Sequence, residues 1–553
     1  MSMRSHGPFI GRDILRCMLL NTLLGALIAC TAGDKALDTA STPSTPGMAD
    51  SGLTDTATTP EPDDTGARPA IEDRDGDGYG ASVDCDDANS GINPGTPDIC
   101  GDGLDQNCSG ADALCALKLV GAAEGDSAGR SVAAAGDVNG DGSADFIVGA
   151  HRAGASEGAA FVFLGPLDGA PGLGEADATL RGDHLDGWLG ASVAGAGDVD
   201  GDGYDDLIIG AYGEDASGLG FYVEGGAAYL LAGGPELGGE LGYADAAAQV
   251  KVEDYGVWLG HAVAGAGDGD GDGLDDVLIG APRYSHGGSE TAPIEEGLVL
   301  WLPGPVSGSA SLDALREREG VGWIEGAGQL GYAVAGVGDV DGDGLEDALI
   351  GAPAPVEAGD PGRALLFLGP LDGAPEADAS FAGTVGNGRV GGVLAAGGDV
   401  DGDGSPDLLI GSLNANQVAL FTTWAPGEQA FDAAAAVVLG TPGDQLGASL
   451  AGAGDLDGDG LGEVLIGAPA MGLGGEGSGG AWLLYGPLEG ALGPADAGRL
   501  LEPDAAGILL GMSVAGVGDL DGDGLPDLAV GAPGDDEGGD SSGALLLFPG
   551  ASL

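Results

Sequence analysis

The stretch GDVDGDGYDDLIIGA, Gly197 to Ala211, places five acidic side chains within nine residues and then runs straight into Leu207, Ile208 and Ile209. Carboxylates a few ångströms apart repel one another, and the repulsion grows as water is withdrawn. An apolar run of this kind calls for burial. A chain that sets the two side by side needs a cation to relieve the charge.

The acidic motif recurs with its start at Asp137, Asp198, Asp268, Asp339, Asp399, Asp455 and Asp519, seven copies spaced 56 to 71 residues apart. Each copy has the same surroundings: a small-residue strand such as LGASVAGAG, the acidic loop, an apolar strand such as DLIIGA, and a third strand such as GAAFVFLGP or GGAWLLYGP. Short strands rich in Val, Ile, Leu and aromatics, punctuated by Gly at this period, predict propeller blades or a solenoid. A fourth strand is visible as DATLRG before the second loop and GRLLEP before the seventh. After the seventh copy the sequence GALLLFPGASL supplies a third strand, while Ala116 to Ala122 (ALKLVGA) stands ahead of the first copy with no earlier unit to join. If that segment completes the seventh unit, the ring closes and no sheet edge is left unpaired. A solenoid would need capping units instead. The expected fold is all-β, a seven-bladed β-propeller of four-stranded blades over residues 116–553, closed by an N-terminal strand.

In D-x-D-x-D-G-x-x-D the side chains at positions 1, 3, 5 and 9 and the carbonyl at position 7 can converge on one hard cation, and Gly at position 6 allows the sharp turn. The candidate ligands are Asp137, Asn139, Asp141 and Asp145 in the first loop and Asp198, Asp200, Asp202 and Asp206 in the second. In the third and fourth they are Asp268, Asp270, Asp272 and Asp276, then Asp339, Asp341, Asp343 and Asp347. The fifth offers Asp399, Asp401, Asp403 and Asp407; the sixth, Asp455, Asp457, Asp459 and Glu463; the seventh, Asp519, Asp521, Asp523 and Asp527. Oxygen donors in this number suit Ca²⁺, one ion per loop and about seven in all, whereas Mg²⁺ takes fewer protein ligands. Asn139 lowers the ligand charge without removing an oxygen, and Glu463 makes the sixth loop the weakest candidate. Asp205 falls outside the ligand set. An EF-hand would need an acid at position 12, where these loops carry Val148, Ile209, Ile279, Ile350, Ile410, Ile466 and Val530.

These paired signals, an acidic loop followed by a [VLI]-[IV]-G-[AS] strand, resemble FG-GAP repeats, the blades of the propeller in integrin alpha subunits and in many bacterial surface proteins. The resemblance covers residues 116–553. It implies calcium loops joining the first and second strands of each blade, and it implies no single function.

An eighth acidic cluster, DRDGDGYGASVD, has Asp73, Asp75 and Asp77 at positions 1, 3 and 5 and Asp84 at position 12. It leads into a segment with Cys85, Cys100, Cys108 and Cys115. Residues 71–115 resemble a short cysteine-containing metal-binding segment of bacterial surface proteins and, more loosely, thrombospondin type 3 calcium repeats. The cysteine gaps match no zinc spacing, so two disulfides are expected, with three connectivities open. Calcium and disulfides would stand in for a core that so few apolar residues cannot build.

At the N-terminus, Arg4, Arg12 and Arg16 precede an apolar run from Met18 to Ala29. The run reads as an export signal over residues 1–29. It ends in Leu-Ile-Ala-Cys30, which resembles a bacterial lipobox and makes Cys30 the candidate lipidation site. Residues 30–70, rich in Ser, Thr, Pro and Asp, read as a disordered tether. The expected location is therefore outside the cytoplasm, lipid-anchored at the bacterial cell surface or outer membrane.

The 553 residues include 89 acidic and 17 basic ones, a formal charge of -72, which argues against nucleic acid or an anionic membrane surface as a partner. His6, His151, His184, His261 and His286 are scattered; G-x-S-x-G occurs only within Gly-rich turns (residues 125–129, 154–158 and 539–543) and not as an elbow between a strand and a helix, and no H-E-x-x-H or P-loop occurs. The sequence thus points to a non-catalytic scaffold that binds a protein or glycan. The irregular segments Tyr212 to Gly226 and Pro282 to Gly297 are the candidate ligand loops. Two other readings stay open: an enzyme acting on polysaccharide or phosphoester at the propeller axis, and an architectural surface-layer component.

Overall fold

The computed structural model describes residues 116–553 apart from 168, 170, 216–223, 255, 286–295, 357–358, 473–476, 504 and 551–552, together with nine scattered residues between Arg74 and Ile92. The export signal, the tether, Cys30, Asp73, Asp77, Asp84, Cys100, Cys108 and Cys115 lie outside the described residues, as does most of each candidate ligand loop.

The strands form seven sheets. In the second, Ser192–Gly197, Asp206–Ala211, Ala227–Leu231 and Ala248–Lys251 follow one another as an antiparallel meander from the axis outward. The last sheet is completed from the other end of the array, where Leu117–Val120 pairs antiparallel with Ala544–Phe548, Leu117 opposite Leu547. The ring is therefore closed by the N-terminal strand.

Each strand's composition follows from its place. The second strand of a blade is covered on both faces by neighbouring blades, and all six residues of Asp206–Ala211 are buried. This is why LIIGA reads as an unbroken apolar run rather than an alternation. The first strands crowd against one another around the axis, which favours Ala and Gly in sequences such as SVAGAG. Each first strand ends in a register shift before the acidic loop, between Gly195 and Gly197 in the second blade, where Gly197 has a φ of 72°. That bulge turns the chain out of the sheet.

The core consists of seven apolar layers, one between each pair of adjacent blades. Ile147, Val162 and Leu180 of the first blade pack with Leu207, Ile209 and Tyr229 of the second. At the closure, Leu119, Leu545 and Leu547 pack with Phe146, Phe161 and Phe163.

Four blades carry a fifth strand that the sequence reading did not anticipate. Gly239–Leu241, Gly308–Ser311, Gly427–Ala430 and Gly490–Leu492 each leave the following blade and pair in parallel with the outer strand of the preceding one. They cover outer edges that would otherwise present unpaired amides and carbonyls. At three or four mostly exposed residues apiece, they carry no periodic signal.

The Gly of the second strand marks the closest approach between blades. A Cβ on Gly210 would sit 2.1 Å from the carbonyl oxygen of Gly260 in the next blade, and the same contact joins Gly531 to Gly129 across the closure. Gly210→Ala is expected to cost about 1–3 kcal/mol through forced separation of the blades, read as a lower midpoint in chemical denaturation with the β-sheet circular dichroism spectrum retained.

Candidate cation-binding loops

All seven acidic loops connect first to second strands, so the topology gathers them at one end of the propeller. Within each loop the carboxylates organise the backbone. In the second, Asp198 Oδ1 accepts from the amides of Gly201 and Asp202 at 2.8 and 3.0 Å, and its Oδ2 accepts from Gly203 at 3.0 Å. Asp200 Oδ1 accepts from the Asp202 amide at 3.2 Å, and Asp202 Oδ1 from the Tyr204 amide at 3.1 Å. The loop thus wraps around its own carboxylates and points their oxygens inward.

The acid at position 9 opens the second strand and is almost completely buried in every blade. Asp206 Oδ2 accepts from the Val199 amide at 3.1 Å, and its Oδ1 from Gly233, just after the third strand, at 2.8 Å. One carboxylate therefore ties the loop, the second strand and the exit of the third together. Asp145, Asp276, Asp347 and Asp527 make the same pair of bonds.

Two loops depart from that pattern. In the fifth, Thr423 stands after the third strand where the other blades have Gly, and Asp407 Oδ1 is buried with no hydrogen-bond partner. In the sixth, the longer Glu463 still accepts from the Leu456 amide through Oε2, at 2.5 Å, and leaves Oε1 buried without a partner. An orphaned carboxylate oxygen is costly unless a positive ligand meets it.

Positions 1, 3 and 9 converge. Asp268, Asp270 and Asp276 each bring an oxygen within 4.8 Å of the other two, as do Asp339, Asp341 and Asp347, and Asp399, Asp401 and Asp407. In the second loop the converging set is Asp198, Asp200 and Asp202. An all-oxygen donor set with an orphaned buried oxygen fits a hard divalent cation.

Burial pushes the position-9 acids up, and the neighbouring loop carboxylates push the same way: Asp145, Asp206 and Asp347 to about 6, Asp276 and Asp407 to about 7. Glu463 rises to about 7 for the same reasons.

Asp205, which the sequence places outside the ligand set, has a separate task. Its Oδ2 accepts from the amide of Asp137 in the first blade at 2.7 Å, and Asp275 does the same for Asp198 at 2.8 Å. The acidic doublets Asp205-Asp206 and Asp275-Asp276 were the visible signal: one carboxylate serves its own loop and the other serves the loop before it.

A second group lies at the opposite end. His184 Nδ1 is 2.7 Å from Asp183 Oδ1 and 2.6 Å from Glu214 Oε1, and the Tyr243 hydroxyl donates to Glu214 Oε2 at 3.0 Å. These residues have no counterpart in the other repeats, so no spacing announced them.

The repeat's geometry can now be set beside known proteins. Residues 128–163, 189–231 and 510–548 match the FG-GAP repeat, and residues 399–466 match the FG-GAP-like repeat. The chain carries FG-GAP repeats. Residues 84–113 match the Cu-binding MopE family, described as a metal-binding motif. Integrin alpha pat-2 of Caenorhabditis briggsae is 31% identical over 227 residues, which cover 37% of this chain and 18% of that protein. Human integrin alpha-IIb is 31% identical over 182 residues, 31% of this chain and 16% of that protein. The phosphatidylinositol-glycan-specific phospholipase D of Bos taurus is 35% identical over 149 residues, 25% of this chain and 17% of that protein. The FG-GAP chain thus spans under a fifth of the length of each of these relatives.

The raised position-9 acids set the pH dependence of the cation-free protein. Unfolded, these groups lose their protons near pH 4; folded, Asp145, Asp206, Asp276, Asp347, Asp407 and Glu463 keep them to about 6 or 7, so the stability they contribute is full below pH 4 and is lost as pH rises through about 6 or 7. Asp407→Asn removes one such charge. In chelator at pH 8 it is expected to raise the unfolding temperature, and in saturating calcium to lower it, as read by thermal denaturation of variant and parent side by side.

Proposed function

We propose that this protein is an exported, lipid-anchored, calcium-stabilised propeller that binds a protein or glycan at the bacterial cell surface and catalyses no reaction. The observation that carries the reading is the repetition of one design seven times. A carboxylate-rich loop joins first and second strands in every copy, its acids converging in the second to fifth, beside a buried acid that in five blades also reaches the exit of the third strand. Calcium there is structural. In the second loop Asp198, Asp200, Asp202 and Asp206 would hold it, with the Tyr204 carbonyl, and the other loops would use the equivalent positions. At a free concentration about 100 times Kd, an ion that binds only the folded state adds about 2.7 kcal/mol per site.

The segment 71–115 is a separate, small cation-binding unit in this reading, with Asp73, Asp75, Asp77 and Asp84 as its oxygen donors. A disulfide at Cys85 supports the stapled arrangement. Cys30 carries the lipid, and residues 30–70 hold the propeller away from the membrane. Likeness to integrin alpha subunits supports an extracellular binding role, and the loops after the second strands, at the end away from the acidic loops, are the variable surface on which a ligand would be read.

Two measurements test the reading. Cys30→Ser is expected to abolish incorporation of labelled palmitate and release the protein from the membrane fraction; unchanged labelling removes the anchor. A panel of glycans and extracellular proteins is expected to give saturable binding with no product. New reducing ends or released phosphate would favour the enzyme, and calcium-driven self-association without any ligand would favour the surface-layer component.

A further inference from the structure

The end of the propeller opposite the acidic loops gathers aromatic and arginine side chains in addition to the Asp183–His184–Glu214 group. Each blade enters its first strand there through a residue in the left-handed region, and in the second and third blades that residue is a tryptophan, Trp188 with a φ of 55° and Trp258 with 61°. Around them an aromatic cluster crosses three blades without a break. Trp188 lies 5.0 Å from Tyr212, Tyr212 5.6 Å from Trp258 and 5.3 Å from His261, and His261 4.6 Å from Tyr332. All five rings are half-buried and so keep part of their surface toward solvent.

Arginines surround this cluster. The guanidinium of Arg283 stands 4.3 Å from the centre of the Trp258 ring, and that of Arg389 stands 4.9 Å from Tyr332. Arg130 and Arg152 of the first blade are close enough that their fields, after burial, help to hold His151 down to about 3. Burial holds His261 down to about 4, and the fields of Arg130 and Arg389 add to it.

These four arginines lack ion pairs among the described residues, as do Lys251, Arg318 and Arg499, but only these four gather at one aromatic cluster. Lys118, Arg181, Arg316 and Arg363 each have a carboxylate within ion-pair distance. Among the described residues, Arg130, Arg152, Arg283 and Arg389 have none, in a chain with 89 acidic residues to choose from. Glu224 touches the cluster, and it accepts the Trp258 indole N–H at 3.1 Å. Arg283 and Arg389 are half-buried and Arg130 and Arg152 exposed, so with Glu224 as counter-charge the cluster still holds an excess of positive charge, whose cost an anionic ligand lowers. Stacking on Trp258 and Tyr332 holds the two guanidinium forks in place before any ligand arrives. Among the described residues no guanidinium stands over Trp188 or Tyr212, which leaves their exposed surface to a flat apolar partner.

We propose that this mouth binds an acidic polysaccharide, with sugar rings against Trp188 and Tyr212 and uronate or sulfate groups on Arg283 and Arg389. A polysaccharide of this class presents ring faces and periodic negative charge together, which matches the alternation of aromatic and arginine side chains. An acidic peptide supplies the charge alone. The inference deepens the non-catalytic binding role proposed above and rests on it.

The test is isothermal titration of the calcium-loaded protein with hyaluronan and heparin oligosaccharides, with cello-oligosaccharides as the neutral control and poly-glutamate as the peptide control. Reducing ends are assayed in the same samples. Expected are binding of an acidic oligosaccharide that weakens with salt, no binding of the neutral one, and a loss of about tenfold or more in the double variant Arg283→Gln/Arg389→Gln, since charge-assisted bonds contribute about 1.5–3 kcal/mol each. Trp188→Ala is expected to weaken oligosaccharide binding while the calcium-dependent unfolding transition of both variants stays as in the parent. Failure of both acidic oligosaccharides to bind, or poly-glutamate binding as tightly as either, overturns the polysaccharide inference and leaves the scaffold reading standing. Release of reducing ends overturns the scaffold reading itself.

Discussion

A buried carboxylate that opens the second strand of every blade is the constraint on which the structure depends. It reaches back to the loop through one oxygen and, in five blades, across to the end of the third strand through the other. Without it, the acidic loop would have no fixed relation to the apolar layers between blades. With it, three or four like charges are held together beside a surface from which water is excluded. Fold stability and charge neutralisation are therefore one problem in this molecule, solved at each of seven places.

The two ends of the ring express opposite solutions. At the acidic end the loops are near copies, each holding its carboxylates in the same backbone frame. Asp205 and Asp275 add bonds from one loop to the loop before it, so neighbouring sites are mechanically joined. At the other end the residues that precede the first strands differ from blade to blade, and this is where tryptophans, arginines and histidines collect. Repetition builds the scaffold; departure from repetition gives the opposite end its distinct chemistry.

Much of this was legible in the sequence because the signal was multiplied sevenfold. The period, the closure by Ala116–Ala122 and the burial of the second strand all follow from patterns that recur. Features without repetition were not legible. The parallel edge strands such as Gly239–Leu241 are too short and polar to read, and they exist only because a neighbouring edge needs cover. Asp205 looked like surplus acid because its partner amide lies 68 residues away. His184 and Glu214 meet across 30 residues of unrelated sequence, and the arginines of the mouth come from blades one, three and five. Contacts of that kind depend on the ring being closed, which a linear reading does not see.

The measurement that bears most directly on the central claim is thermal unfolding of the purified protein titrated with Ca²⁺, with Mg²⁺ and chelator as controls, alongside the stoichiometry of bound metal. The account predicts a large calcium-specific rise in the unfolding temperature with about one ion bound per acidic loop. An unfolding temperature indifferent to calcium, with no metal bound, would contradict it and leave the clustered carboxylates without a counter-charge.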